Sequence, residues 1–286
     1  MHRFFVPPSA LETQPVTLTG DQAHQVRRVL RMRLGDRATL LDGRGWACEG
    51  ILIAAGETDV RFQAVRRWAV EGEPATHVTL YQAVLKGERF GWALQKGVEV
   101  GVSAFVPLIC ERNVVDCRLA GMAAAEGKRE RWERIIQEAA EQCGRGWLPE
   151  LRPAQLFAQA VQPTPPALLR QAQDRLLPAR EGGELPSPRR GGARGEVAGE
   201  PGDAVRLILW EGERQARLRE ALADCNFGPD AGIQLFVGPE GGFTEEEVAL
   251  ARSYGIRSVS LGQRILRAET AGVVAAALVL YEAGEM

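Results

Sequence analysis

The sequence predicts an α/β protein: a parallel sheet flanked by helices, preceded by a small β-rich unit. Three observations carry this. From Thr76 onward, short apolar runs of strand length alternate with helical stretches, the rhythm of strands joined by crossover helices. Before residue 72 the apolar runs are separated by turn signals, with one helical interruption. With 286 residues, 45% of them hydrophobic and 25% charged, the chain can bury a sizeable core without disulfides or metal.

In the first unit the strand candidates are 3–6, 38–42, 48–54 and 60–65. Turn signals at 34–36 and 42–45 separate them. The helical piece spans 21–32, with Asp21 placed to cap it. Glu71-Gly72-Glu73-Pro74 reads as a linker, giving domains over 1–72 and 76–286. In the second unit the expected order is strand 78–84, helix 88–101, strand 104–109 and an amphipathic helix 126–143. Strand 205–210, helix 214–223, strand 233–237, helix 244–254, strand 256–261 and helix 268–283 follow. Between the halves, residues 163–203 hold 7 Pro and 7 Gly, with 6 Arg against 6 acidic residues and no aromatic. Such a stretch buries too little apolar area to offset its ordering and reads as a disordered insertion.

Charge and composition exclude several classes. The net charge of −2 rules out a uniformly basic nucleic-acid coat, though not a local basic face. The cations are 32 Arg and 3 Lys. Arginine's planar fork suits RNA, and codon bias in a GC-rich genome produces the same count. Five cysteines without a CxxC pair, and only three histidines, leave little material for a metal site or a Cys-His hydrolase. Cys110 and Cys117 stand isolated from histidine. Neither a signal peptide nor a spanning segment is legible, which points to the cytoplasm.

Two loops stand out. Gly238-Pro239-Glu240-Gly241-Gly242 follows a strand and precedes Thr244-Glu245-Glu246-Glu247, a capping box. It therefore lies at the carboxyl end of a parallel strand, where open α/β sheets bind ligands. It is neither a P-loop nor a dinucleotide fingerprint. The second loop, 261–271, again follows a strand and enters a helix built of small residues. Two such loops at adjacent strand ends can wall one pocket. An ordinary glycine turn and a buried core helix would read the same way.

Together these motifs are specific. Val237-Gly-Pro-Glu-Gly-Gly-Phe-Thr, Leu261-Gly262 and Arg264-Ile-Leu-Arg-Ala-Glu-Thr-Ala resemble the signature of the RsmE family of bacterial 16S rRNA (uracil-N3)-methyltransferases. Upstream, Leu94-Gln95-Lys96 with Glu99, Gly101 and Val102, and Arg131-Trp132 with 138–142 and Arg145, resemble further family motifs. Arg3-Phe4-Phe5, His24, Val29-Leu30-Arg31 and Gly35-Asp36 resemble its PUA-like RNA-binding domain. The resemblance covers nearly the whole chain outside 163–203. Departures at Gly97-Val98, Val100, Cys143 and Ala268 remove no charged group.

The resemblance implies a SPOUT-type parallel sheet with a C-terminal trefoil knot that binds S-adenosylmethionine (SAM). The implied donor-site residues are Val237, Gly238, Pro239, Glu240, Gly241, Gly242, Leu261, Gly262, Ile265, Leu266, Thr270 and Ala271. Ile265 and Leu266 would pack on adenine, and Glu240 would tolerate the positive sulfonium. Arg267 is implied as the cation stabilising negative charge on the uracil. Glu269 would orient Arg267 or take the N3 proton, and its alternative reading is a carboxylate favoured by the helix dipole. RNA contacts are expected from Arg3, His24, Arg27, Arg28, Arg31, Lys86, Lys96, Arg129, Gln142 and Arg145. Each of these residues would equally serve as a solvated surface group. Trp92, Trp132 and Trp147 are expected in the core. The partner is the small ribosomal subunit and the assembly a homodimer. Methylation of another RNA base or a ribose 2′-OH, or rRNA binding without catalysis, are the alternatives.

Overall fold

The computed structural model describes residues 1–113, 122–162, 204–223, 225–228 and 232–286. Cys117 and the stretch 163–203 lie outside them. Two sheets organise the chain. The first holds β1 (His2–Phe5), β2 (Val16–Thr19), β3 (Arg37–Leu41), β4 (Trp46–Ala55) and β5 (Asp59–Ala69), in the order β1-β3-β4-β5-β2. β1 pairs parallel to β3 and the remaining neighbours are antiparallel. Alternation along these strands buries Phe4, Leu40, Leu52, Val60 and Phe62 on one side.

The helical piece of this unit is shorter than its sequence suggests. α1 (Gly20–His24) runs into a π-helical turn over Gln25–Val29. Thr19, not Asp21, takes the N-cap position, and no side chain caps it. Arg31 ends the turn at φ +51, a left-handed conformation costly to a residue with a Cβ.

The second sheet is wholly parallel. It contains β6 (His77–Ala83), β7 (Ala104–Ile109), β8 (Glu150–Leu151), β9 (Gln155–Leu156), β10 (Val205–Leu209), β11 (Gly232–Val237) and β12 (Arg257–Val259). The order is β12-β10-β11-β6-β7-β8, with β9 also on β7. Helices α2 (Arg89–Val100), α3 (Met122–Cys143), α4 (Phe157–Ala160), α5 (Leu218–Ala223), α6 (Glu245–Ser253) and α7 (Ala268–Glu282) connect and cover it. Val78, Leu80, Leu94, Val98, Leu235 and Val279 pack in the core on one face. Tyr81, Val106, Phe236 and Phe243 pack on the other, with Tyr81 and Phe236 stacked at 4.3 Å. α2 ends on Gly101 at φ +110, whose N–H donates to the Val98 carbonyl. Among the described residues no helix is long and apolar enough to cross a membrane.

α5 starts four residues later than the sequence pattern suggests, because Glu213 holds the preceding residues in a turn. Its Oε1 accepts from the backbone N–H of Arg214, Gln215 and Ala216 at 3.0, 2.9 and 3.3 Å. Ser258 donates to its other oxygen, as does Arg252. The hydroxyl of Ser258 and these N–H groups hold the Glu213 carboxyl down at about 2.

Three contacts join the sheets and close the chain. Arg3 of β1 donates to the carbonyl of Glu141 at 3.1 Å, while the buried Glu141 carboxylate accepts from Phe5 N–H at 3.1 Å. Arg145 pairs with Glu73 of the linker at 3.0 Å and donates to the Val102 carbonyl at 2.6 Å. Glu73 also accepts from the N–H of Gly146 and Trp147. Near the C-terminus, the Glu285 carboxylate accepts from the backbone and hydroxyl of Thr76.

Two predictions follow from this packing. The Arg145 and Glu73 side chains are only 11% and 14% exposed, so removing one leaves a buried charge. Arg145→Ala lowers the unfolding free energy in urea by roughly 3 kcal/mol. Burial, reinforced by Arg152, lowers the His77 pKa from 6.5 to about 4. The unfolded chain therefore takes up a proton near pH 6.5 that the folded chain refuses. The His77 contribution to stability is flat above that pH and falls between 6.5 and 4, by up to about 1.4 kcal/mol per pH unit. Thermal melts across this range show a shallower slope for His77→Gln.

Candidate active site at the carboxyl edge of the parallel sheet

All the strands of the second sheet point their carboxyl ends to one edge, and the chemistry-bearing residues gather there. After Val237 the chain turns through Gly238–Phe243, closed by Gly242 N–H donating to the Pro239 carbonyl at 2.9 Å. Gly242 sits at φ +69, a left-handed conformation that favours glycine, with the Glu211 carboxylate against it. Thr244 then caps α6: its hydroxyl accepts from Glu247 N–H at 3.1 Å, and the Glu247 carboxylate accepts from Thr244 N–H at 3.0 Å. The other Glu247 oxygen accepts from Glu111 N–H at 2.9 Å, which ties the end of β7 to the head of α6.

The glycine turn is braced from β6 and β7. Glu240 accepts from Lys86 N–H at 3.0 Å and lies 3.4 Å from Arg89. Through these contacts Glu240, expected to face the donor, braces the β6–α2 turn. Arg112 donates to the Gly241 carbonyl at 3.1 Å. Asn113 bridges the ends of β6 and β7, donating to the Val84 carbonyl and accepting from Cys110 N–H, each at 2.6 Å.

The second loop is fixed to the turn after β10. Ser260 N–H donates to the Ala216 carbonyl at 2.9 Å, and Leu218 N–H donates to the Ser260 carbonyl at 3.0 Å. The Ser260 hydroxyl accepts from Gly262 N–H at 3.2 Å, with Gly262 at φ +121. Leu261 and Leu266 are half-buried, whereas Ile265 is 83% exposed. Arg267 occupies the N-cap position of α7, exposed and with no side-chain partner among the described residues. Its carbonyl accepts from Thr270 and Ala271 N–H, both at 2.9 Å. Glu269, Thr270 and Ala271 are half-buried in the first turns. One turn on, Gly272 lies over β6, where an added Cβ would stand 2.7 Å from Gln82 Oε1. That oxygen is the one buried side-chain polar atom without a partner among the described residues.

The residues expected at RNA separate into two groups. His24, Arg28 and Arg31 are exposed around the π-turn, Lys86 is exposed beside the glycine turn, and Gln142 is exposed at the end of α3. The others are engaged. Arg27 donates to the Glu57 carbonyl. Lys96 pairs with Glu99 at 2.7 Å, and Arg129 pairs with Glu133 at 2.8 Å. Arg3 and Arg145 place their guanidinium groups at the junction with α3 and at the linker. Trp132 packs against Phe90 with centroids 4.5 Å apart, but Trp92 is 41% exposed and is not a core residue. Sequence reading missed Arg112, Asn113, Glu211 and Gln82. The first three directly follow strands, and the rule that placed the glycine turn would have found them.

The chain matches two family models: an RNA methyltransferase domain over residues 72–185 and 195–280, and an RNA methyltransferase PUA domain over 18–65. A relative named ribosomal RNA small subunit methyltransferase E from Synechocystis sp. is 33% identical over 96% of this chain and 76% of its own. The protein of that name from Bacillus subtilis is 28% identical over 99% and 97%. The crystal structure of a ribosomal RNA small subunit methyltransferase E from Neisseria gonorrhoeae, bound to SAM, is similar with a TM-score of 0.76. It is 28% identical over 98% of this chain and 97% of that one. With a family model matched over most of its length and a relative 33% identical, this chain belongs to the RNA methyltransferase family of the small-subunit methyltransferase E type.

Proposed function

We propose that the protein methylates N3 of one uridine in 16S rRNA of the small ribosomal subunit, using SAM. The observation that carries this is Arg267: a guanidinium without a partner among the described residues, at the head of α7, in the same loop as a glycine turn and on the sheet edge that carries a second. A donor site at this edge fits the chain. Two glycines at positive φ bare their backbone, Ile265 leaves its apolar side chain uncovered, and Glu211 has no partner among the described residues. Val237–Gly242, Leu261, Gly262, Ile265, Leu266, Thr270 and Ala271 would hold the donor. When bound, it supplies an electrophilic methyl group on a positive sulfur.

The chain's own task is alignment and charge. Uracil N3–H lies between two carbonyls, so losing its proton spreads negative charge onto O2 and O4. Arg267 stabilises that charge, and orientation of the base against the donor supplies much of the rate. Glu269, two residues on, orients Arg267 or takes the proton. Neither a metal nor a covalent cysteine adduct is needed for attack by a ring nitrogen.

The trefoil knot is part of this reading. Its support is the path of the chain: β12 lies at one margin of the sheet, yet α7 returns to pack on β11, β6 and α2. A homodimer is supported by α7, which is apolar all round but leaves Leu278 at 44% and Tyr281 at 68% exposure. A helix of that kind belongs in an interior, and a second copy provides one. The place of action is the cytoplasm, where the ribosomal substrate resides.

Two experiments test the reading. Unmodified small subunits are incubated with the protein and SAM, digested, and analysed by nucleoside mass spectrometry. A 3-methyluridine peak is expected, reduced about 10²- to 10³-fold in rate by Arg267→Ala. Methyl on another nucleoside would overturn the substrate assignment. Arg31 tests the RNA-facing turn. Arg31→Gly relieves the left-handed strain and raises stability by about 1 kcal/mol. The same change weakens binding to subunits, so equal affinity would remove Arg31 from the interface.

A further inference from the structure

Between the N-terminal sheet and helices α2 and α3 lies a cleft of about 460 Å³, within the range of small-ligand sites. Its lining is unlike the basic surface expected of an RNA binder. Gly91, Ile135 and Ala139 make an apolar floor, flat because Gly91 lets Ile135 close up: an added Cβ would stand 3.0 Å from the Ile135 methyl. Trp92 forms a wall with 41% of its surface exposed. Around the rim stand Gln25 of the π-turn, Gln95 of α2 and Gln142 of α3, whose carboxamides have no partners among the described residues.

The charges at this cleft are negative. Glu88 is taken by Arg131, and Glu141 by Phe5 N–H and Gln137. Glu138 is exposed and has no partner among the described residues. A phosphate would be repelled here. A neutral, flat group with hydrogen-bonding edges would not be: it would lie on the floor, stack on the indole and bond to the amides.

We propose that this cleft receives an unstacked base of the RNA, distinct from the methylated uridine, with an amino-bearing edge, as in cytosine or guanine, turned to Glu138. This rests on the functional reading above and extends it to a specificity site. An aromatic wall with amides is how single-stranded bases are read, and a carboxylate accepts from an exocyclic amino group. Uracil would offer Glu138 only N3–H, flanked on both sides by carbonyl oxygens that the carboxylate repels. None of the residues 238–242 or 261–271 lines the cleft, so the reacting uridine belongs elsewhere. Yet Glu88 on the rim lies between Lys86 and Arg89, which both contact Glu240 of the glycine turn. A base held here thus anchors the RNA close to the reacting edge.

The test separates this site from the chemistry. With small subunits as substrate, Trp92→Ala and Gln95→Leu raise KM about tenfold, the worth of one base stack, while kcat and SAM affinity hold. Trp92→Phe retains the parent KM. Binding of RNA hexamers, measured by fluorescence anisotropy, favours oligocytidine over oligouridine about tenfold, and Glu138→Leu abolishes that preference. A parent KM in Trp92→Ala, or no base preference in the parent, overturns the proposal. So does a change of oligomeric state in Trp92→Ala, which would give the face to a second copy of the chain. Absence of methyl transfer by the parent protein would instead defeat the functional reading itself.

Discussion

Parallel pairing of β6 with β11 is the constraint on which the rest of the structure depends. His77 stands opposite Gly232 and Gln82 opposite Val237, so segments some 150 residues apart in sequence share one hydrogen-bond ladder. Because the strands run the same way, β6 releases Lys86 and Arg89 at the edge where β11 releases the glycine turn. The Glu240 contacts to both are possible only in this register. A one-residue slip would turn Leu80 and Leu235 out of their core face. It would also move Gln82 from beneath Gly272, where α7 lies close over the sheet.

Much of this was legible in the sequence, for physical reasons that differ between elements. β7 and β11 are apolar runs bounded by polar or glycine residues, and burial on both faces demands that pattern. The glycine turn was legible because positive φ and close approach select glycine. β2 was missed: a four-residue edge strand carries too few alternations to register, and its partner lies some forty residues away. The late start of α5 was invisible because the turn before it is made by one carboxylate collecting three N–H groups.

Cations were the hardest group to read. Arg145 looks like any surface arginine until Glu73, 72 residues earlier, is folded beside it. Arg3 likewise acquires its partners only from the end of α3. Sequence identifies which residues carry charge, but tertiary contacts decide which charges remain free. Trp92 is the reverse case. Phe90, Ala93, Leu94, Gly97 and Val98 define the buried stripe of α2, and the 3.6-residue period puts Trp92 outside it. The periodicity held that answer, whereas the usual fate of tryptophan concealed it.

The order of strands also bears on how the protein is made. The N-terminal sheet has all its strands within the first 69 residues and can close early. The parallel sheet cannot. On the ribosome, β6 waits for β10, β11 and β12, which begin 128 to 180 residues later. At roughly 5–20 residues per second this is a delay of about 6–36 s. Throughout it, β6 presents an unpaired apolar edge of the kind that invites association between nascent chains. A methyltransferase of the ribosomal-RNA family is thus itself exposed to association while still attached to a ribosome.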